Sequence, residues 1–410
     1  MRSAYGFKIP AEDPTLTHVT AGSPMGEVLR RYWQPIALSE DLGELPRRLK
    51  VMGEDLVAFR DKSGKAGVLY LHCAHRGTSL EFGRIEQDGI RCCYHGWKFR
   101  ADGKCIEMPC ERPGMTERLD VWQPSYPVHE FGGLVFVYMG PAEKQPLFPM
   151  YDIIDTRKRS DVTIRGMRLW GDCAIGFVRD CNWLQHTENV VDPYHLLMLH
   201  QMISGDQFNG ALMRGTPPEI GFERTSLGVR YRFVRDLPNG NHLIRYVESV
   251  VPNIMLIANI HEKGEKPIEQ DRASEITWVL PIDNEHVCAY SLVAWPLKNG
   301  KPDPDWRPRT DTVIPQRPGW ARDRSYENRQ RKPDDMEAQE GQRPIAIHAL
   351  ENLALSDTGV AMLRKMLREQ VTRVQRGEDP MNIVRDSAKN VAIPTNAWNT
   401  VRPQTRQAAE

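Results

Sequence analysis

No apolar run in this 410-residue chain approaches the length needed to span a membrane. The opening text, MRSAYGFKIPAEDP, lacks the charged-then-apolar order of a secretory signal. Neither sign of charge is in excess. The 54 Lys and Arg balance 54 Asp and Glu, so no global field draws in nucleic acid or an anionic membrane. Cysteine is scarce: eight residues without an export signal argue for reduced thiols in the cytoplasm, not for a disulfide framework. No internal repeat is visible, and neither the dinucleotide-binding glycine fingerprint nor the cysteine run of plant-type ferredoxins occurs. Hydrophobic residues make up 40 % of the chain, enough to core the two or three domains its length allows.

The metal-binding potential is concentrated in CAHRGTSLEFGRIEQDGIRCCYHGW, Cys73 to Trp97. A Cys-x-His pair, Cys73 and His75, is followed after 16 residues by a Cys-x-x-His pair, Cys92 and His95. Two thiolates and two imidazoles on two short clips can hold one zinc, or a [2Fe–2S] cluster with two Cys on one iron and two His on the other. The flanks separate these. Arg76-Gly77 after the first pair and Gly96-Trp97 after the second make CxHRG…CxxHGW, which is similar to the Rieske cluster motif. His72 and Cys93 abut the ligands but fall outside the spacing and read as neighbouring packing. Cys105, Cys110, Cys173 and Cys181 show no ligand spacing and read as packing, and Cys288 in HVCAYSLVAW as strand core. High-potential respiratory Rieske proteins resemble this motif but carry a further Cys where Thr78 stands and a Ser where Trp97 stands. Fewer hydrogen bonds to sulfur imply a potential at the low end of the Rieske range.

Along the chain, residues 1 to about 25 read as an extended lead-in broken by Pro10, Pro14 and Pro24, and MGEVLRRYW as one short amphipathic helix. From Trp33 to about Gly140 the text is strand-like, ending in EFGGLVFVYMG, which predicts an all-β domain with the metal clips at loop tips. A Pro- and charge-rich linker spans 141–160, and CAIGFVRDCNWLQHTENVVDPYHLLMLH reads as one long helix. GVRYRFVR, HLIRYVESVV, IMLIANIHE, SEITWVLPI and HVCAYSLVAW predict an antiparallel sheet. Residues 301–335 read as irregular, 344–376 as helical, and the last 25 residues as a mobile end.

Within the long helical segment, Asp192-Pro193-Tyr194-His195 and His200 form D-x-x-H-x4-H, preceded by Asn182-Trp183 and Glu188-Asn189. Five residues turn a straight α-helix about 140° from alignment, so His195 and His200 would not meet on one ion. Pro193 breaks the helix at Asp192, and a bend or π-type turn near 196–199 would bring the imidazoles together. Two imidazoles and a carboxylate suit Fe(II) with open positions.

With this second site the chain resembles the α subunits of Rieske non-haem iron aromatic-ring-hydroxylating oxygenases, in their phthalate-dioxygenase-like branch. The likeness runs from SPMGEVLRRYWQPIALSEDL to VQRGEDPMNIVRD. It implies an α+β protein: a 27–145 all-β Rieske [2Fe–2S] domain, then a 146–380 mononuclear-iron domain with an antiparallel sheet and flanking helices of helix-grip type. Residues 1–26 are a lead-in and 381–410 a tail. The family's E-x-L-x-x-[ST]-D pattern matches Glu351 to Asp357, so Asp357 is the expected third Fe(II) ligand beside His195 and His200. DDMEAQEGQRPIAIHALE looks like the family's QE-x-QG-x-I stretch, and His348 stands where a basic residue is common. The resemblance implies a homotrimer, or a dimer of trimers, in which Asp192 bridges His95 of one chain and His195 of the next. It also implies a separate NADH-dependent flavin and iron–sulfur reductase. The expected reaction is hydroxylation, with dioxygen, of a small aromatic and carboxylated substrate. The rival reaction is monooxygenation or O-demethylation of aryl ethers. An anionic substrate needs a cation, for which Arg214, Arg224 and Arg245 are candidates; Arg245 alternates with Val247, Ser249 and Val251 on one strand face.

Overall fold

The computed structural model describes residues 4–174, 179–205, 218–237, 239–258, 262–263, 266–267, 269–308 and 324–403. Strand-forming text between Trp33 and Tyr138 builds three small antiparallel sheets. In the first, Leu134–Tyr138 lies between Trp33–Leu38 and Val128–Phe131 and is buried at every position, as the unbroken run LVFVY requires. Arg47–Val51, Glu54–Arg60, Ala66–Tyr70 and Ser125–Tyr126 form the second sheet. The third comprises Arg84–Glu86, Gly89–Arg91, Lys98–Phe99 and Cys105–Glu107, with the second cluster loop joining its middle pair.

Two apolar cores follow from this arrangement. The smaller packs Val57, Phe59, Leu69, Ile90 and Phe99 with Cys73 and Cys92. The larger runs from Met25 and Leu29 through Phe136 to Trp278 and Leu363, binding the N-terminal strands to the rest of the chain. Phe136 meets Trp278 edge-on, with ring centroids 5.3 Å apart.

The second half is built on a nine-stranded antiparallel sheet. Its main path runs Val162–Trp170, Val287–Lys298, Glu275–Pro281, Ile254–Ile257, Asn241–Val250, Gly228–Asp236, Glu219–Arg224. Period-two alternation buries Val229, Tyr231, Phe233 and Arg235 on one strand, and Leu243, Arg245 and Val247 on the next. Helix Thr358–Gln375 packs on the last two strands through Val360, Leu363, Leu367, Val371 and Val374, an i, i+3, i+7 stripe. This is the expected α+β arrangement of a β domain beside a sheet gripping a helix. Among the described residues, no helix is long and apolar enough to cross a membrane.

Several elements depart from the sequence reading. The lead-in contains helix Pro14–Thr17, capped by Asp13, because proline fits the first helical turn. Strand Val162–Trp170 was not read at all. It lies at the sheet's end, only its terminal residues are buried, and the alternation of its text changes phase at Gly166. Residues 173–200 are not one helix: Trp183–Asn189 stops before Asp192-Pro193, and Tyr194–Leu197 starts after it. The 301–335 stretch contains helix Tyr326–Arg331, and the 344–376 stretch is α-helical only over Thr358–Gln375. Far from being loose, Trp398–Pro403 pairs with Asn241–Val250, continuing the edge that Ile254–Ile257 occupies further along.

The long helix is tied to Trp183–Asn189 by a buried ion triad. Arg364 donates to Glu188 at 2.5 and 2.7 Å and to Glu351 at 3.0 Å. Burial pushes the Glu188 carboxyl up, against the pull of Arg364. Replacing Arg364 by Met orphans a buried carboxylate, at a cost of about 3–5 kcal/mol. The melting temperature of R364M should fall clearly below the parent's; an unchanged value would refute the triad's structural role.

Candidate metal centres

The two cluster loops have one backbone design. Cys73 donates its N–H to Thr78 O at 2.9 Å while Gly77 donates back to Cys73 O at 2.8 Å. Cys92 donates to Trp97 O at 2.8 Å while Gly96 donates back to Cys92 O at 3.1 Å. Closing each loop requires a left-handed residue four after the cysteine, and glycine supplies it, with φ of 75° at Gly77 and 72° at Gly96. A Cβ on Gly96 would also stand 2.7 Å from Pro109 Cγ, so the second loop could not pack against the Met108-Pro109 segment.

The side chains carried by these loops fit a cluster. Cys73 and Cys92 are each 3 % exposed, and burial, with Cys92 alongside, pushes the Cys73 thiol up to about 12. The N–H groups of His75 and Arg76 point at its sulfur. Such thiols ionise when a cation binds and releases their protons. The buried Nδ1 of His75 has no hydrogen-bond partner, which is the valence a metal bond would fill. Its ring stacks on Trp97 at 4.4 Å and meets His95 edge-on at 4.6 Å. Trp97 therefore braces the His75 ring from behind. Among the described residues, only a different set of groups draws three ligand atoms within 4.8 Å of one another. A single tetrahedral zinc would need Cys73, His75, Cys92 and His95 around one point, whereas two irons hold the pairs apart. His72 and Cys93 are exposed rather than packed, and so is Cys110.

The second site starts from the Asp192-Pro193 break. Asp192 Oδ1 accepts the N–H of Tyr194 at 3.1 Å and so starts the new helix. From Met198 to Ile203 the backbone widens into a π-helix, slightly later than the bend expected at 196–199. Where hydrogen bonds run i→i+5, residues five apart return to one face, and the rings of His195 and His200 come to 5.5 Å. His195 donates from Nδ1 to the Asp192 carbonyl, leaving the Nε2 lone pair facing the site.

The carboxylate that joins them is Asp335, not Asp357. Asp335 Oδ1 lies 3.2 Å from His200 Nε2 and 3.7 Å from His195 Nε2. Asn189 Nδ2 stands 3.1 Å from the same oxygen and 3.3 Å from His195 Nε2. Burial pushes the Asp335 carboxyl up, but its bond to His200 and the charges of His200, His195 and Arg179 hold it far below the ordinary range. Burial likewise opposes protonation of His195, and the bond to Asp192 and the charge of Asp335 outweigh it, raising its pKa. Asp357 instead closes the turn Leu355–Asp357, its Oδ2 accepting Ala354 N–H at 2.8 Å just before helix Thr358–Gln375. The E-x-L-x-x-S-D pattern thus marks a helix start. The missed signal was Asp334-Asp335 ahead of a short helical text: Asp334 and Glu337 form a capping box that begins helix Asp335–Glu340.

Of the arginine candidates, Arg245 is buried as expected, bonding the Tyr231 hydroxyl and lying 3.4 Å from Asn399 Oδ1. Arg224 is half exposed and paired with Glu369 at 2.7 Å, so it faces solvent rather than a pocket. Arg214 lies outside the described residues. Sequence reading missed Arg235, also buried on the same sheet face, with its guanidinium 5.5 Å from the Phe233 ring.

Comparison with known proteins agrees with this chemistry. The family model of the Rieske [2Fe-2S] domain matches residues 32–127. Phenoxybenzoate dioxygenase subunit alpha of Ectopseudomonas oleovorans is 39 % identical over 427 residues, covering 100 % of this chain and 97 % of its own length. The tert-butanol monooxygenase / tert-amyl alcohol desaturase oxygenase subunit of Aquincola tertiaricarbonis is 38 % identical, over 92 % of this chain and 80 % of its own. The solved structure of NdmA from Pseudomonas putida CBB5 shares the fold, with a TM-score of 0.60 at 17 % identity over 89 % of this chain and 98 % of that one. The chain belongs to the Rieske non-haem iron oxygenases, among their oxygenase subunits.

Proposed function

We propose that the protein hydroxylates a small, carboxylated aromatic compound at a mononuclear Fe(II) held by His195, His200 and Asp335. The observation that carries this reading is the meeting of two imidazole nitrogens and one carboxylate oxygen, which leaves half of an octahedral coordination sphere to substrate-side ligands. When bound, the mononuclear iron supplies oxygen activation and the [2Fe–2S] centre of Cys73, His75, Cys92 and His95 supplies single electrons. The protein's part is positional. Asp192 fixes the His195 tautomer, Asn189 steadies Asp335, and the π-helix keeps both rings on one side. The chain has no dinucleotide fingerprint, so its electrons come from a separate reductase that uses NADH.

Asp192 supports a relay between subunits of a homotrimer. Its carboxylate Oδ2 lies 3.6 Å from His195 Nδ1, yet the side chain stays 34 % exposed, open to a contact from another chain. On this reading the partner that reaches it is His95 of a neighbouring copy, itself partly exposed. Arg245, buried beside Tyr231, which also senses the charge of Asp192, is the cation for a substrate carboxylate. A second reaction is favoured by the 33 % identity, over 93 % of this chain, to the 5,5'-dehydrodivanillate O-demethylase oxygenase subunit of Sphingobium. In that reaction one atom of dioxygen would enter the organic products of an aryl ether and the other would leave as water.

Asp335→Ala should lose mononuclear iron and product formation while keeping the visible absorption of the cluster, whereas Asp357→Ala should keep both metals. Iron retained by D335A but lost by D357A would reverse the assignment. Asp192→Asn should hold both metals and lower turnover by about 10–100-fold; near-normal turnover would remove the relay. Arg245→Met should raise KM about tenfold or more for benzoates and phthalates, the worth of one charged hydrogen bond, and leave neutral aryl ethers unaffected. Mass analysis of those products with labelled dioxygen, counting one atom or two, separates the two reactions.

A further inference from the structure

Helix Asp335–Glu340 is six residues long, too short to hold its own rotation, yet its first residue must aim a carboxylate at two imidazoles. Asp335 and Gln339 are four apart and share a face. Opposite them, helix Trp183–Asn189 presents Gln185, His186 and Asn189. Contacts between the two helices repeat along that line. Asn189 Nδ2 donates to Asp335 Oδ1 at 3.1 Å, and Gln185 Nε2 donates to the Gln339 carbonyl at 2.8 Å. Arg179, 2 % exposed, sits across the end of the seam. Its Nη1 donates to Gln339 Oε1 at 2.6 Å and to His186 Nδ1 at 2.9 Å, while its guanidinium lies 4.4 Å from the Trp170 ring. An arginine N–H only donates, so His186 must offer Nδ1 as an acceptor.

We propose that Arg179 and Gln339 are a positioning pair for Asp335: the buried Nη1 of Arg179 clamps Gln339 to His186 and so sets the angle at which the helix delivers its first carboxylate. This rests on the reading of Asp335 as an iron ligand. Neither residue touches the converging ligand atoms. Gln339 acts through the seam and Arg179 through the seam and its nearby charge, which gives the first glutamine of DDMEAQEGQ, the stretch that carries Asp335, a task of its own. A slip of one hydrogen bond at Gln339 would turn Asp335 away from two rings that the π-helix has already fixed.

The test uses the full chain with its [2Fe–2S] cluster assembled, titrated with Fe(II). In the double variant Arg179→Met, Gln339→Leu no buried charge is orphaned, and of the remaining groups only the neutral His186 Nδ1 loses its Arg179 donor, so the fold is tolerated. Its cluster absorption should match the parent's and its melting temperature fall only slightly, while Fe(II) affinity falls about 10–100-fold. The nitric oxide adduct of its mononuclear iron should give an altered EPR signal. Gln339→Glu keeps an acceptor for Arg179 and should bind Fe(II) as the parent does. Parental affinity and EPR in the double variant overturn the proposal, as does a Q339E protein that binds as weakly as the double variant. Run in parallel, D335A separates the two levels. If D335A keeps its iron, the ligand assignment itself fails; if D335A loses iron and the double variant does not, only the positioning claim fails.

Discussion

Five residues separate His195 from His200, a spacing that an ordinary α-helix cannot resolve onto one ion. The structure meets this constraint with backbone rather than side chains: a proline-imposed restart after Asp192, one turn of α-helix, then a π-helix. Everything else around the second centre is arranged on that wide turn. Asp192 orients the first ring from one side, and helix Asp335–Glu340 brings the carboxylate from the other. Because the two rings are set by local chain geometry, the third group is the one that long-range packing must deliver.

The two centres are supported in different ways. The cluster loops are short copies of one hydrogen-bonded turn, set against a small apolar core that buries both cysteines and leaves the imidazoles nearer the surface. Their support is local, within some sixty residues of sequence by order of magnitude, and a compact β scaffold suffices. The second centre gathers residues from positions 189 to 335, and its support is a set of buried polar seams, Arg179 with Gln339 and Arg364 with Glu188 and Glu351. Satisfied networks of this kind fix one arrangement because any slip leaves a charge without a partner.

That difference explains what could be read from the chain alone. The paired Cys–His loops, the meeting of His195 with His200 and the strands from 228 to 298 were legible because spacing and period-two alternation are local signals. Asp335 was not, since its approach to His200 is set by the sheet and loops that intervene. The motif that matched at Asp357 places that carboxylate at the start of helix Thr358–Gln375, where it accepts the Ala354 N–H. Strand Val162–Trp170 and the terminal strand Trp398–Pro403 escaped because sheet-end and late-added strands are only partly buried and show no sustained alternation. Alternation already set Arg245 on an apolar strand face, whereas the inward side of Arg235 emerged only from strand register.

The wide turn also bears on how such a site can change over time. A single deletion between His195 and His200 would shorten the spacing to four and restore a regular α-helical face, so the two imidazoles could still be neighbours. Their common direction, however, would rotate relative to the Asp335 carboxylate, which is anchored from the far side of the molecule. The spare residue therefore acts as a register shim. Insertions and deletions elsewhere in the surface loops are free to accumulate, but within this hexapeptide the count of residues is itself under constraint.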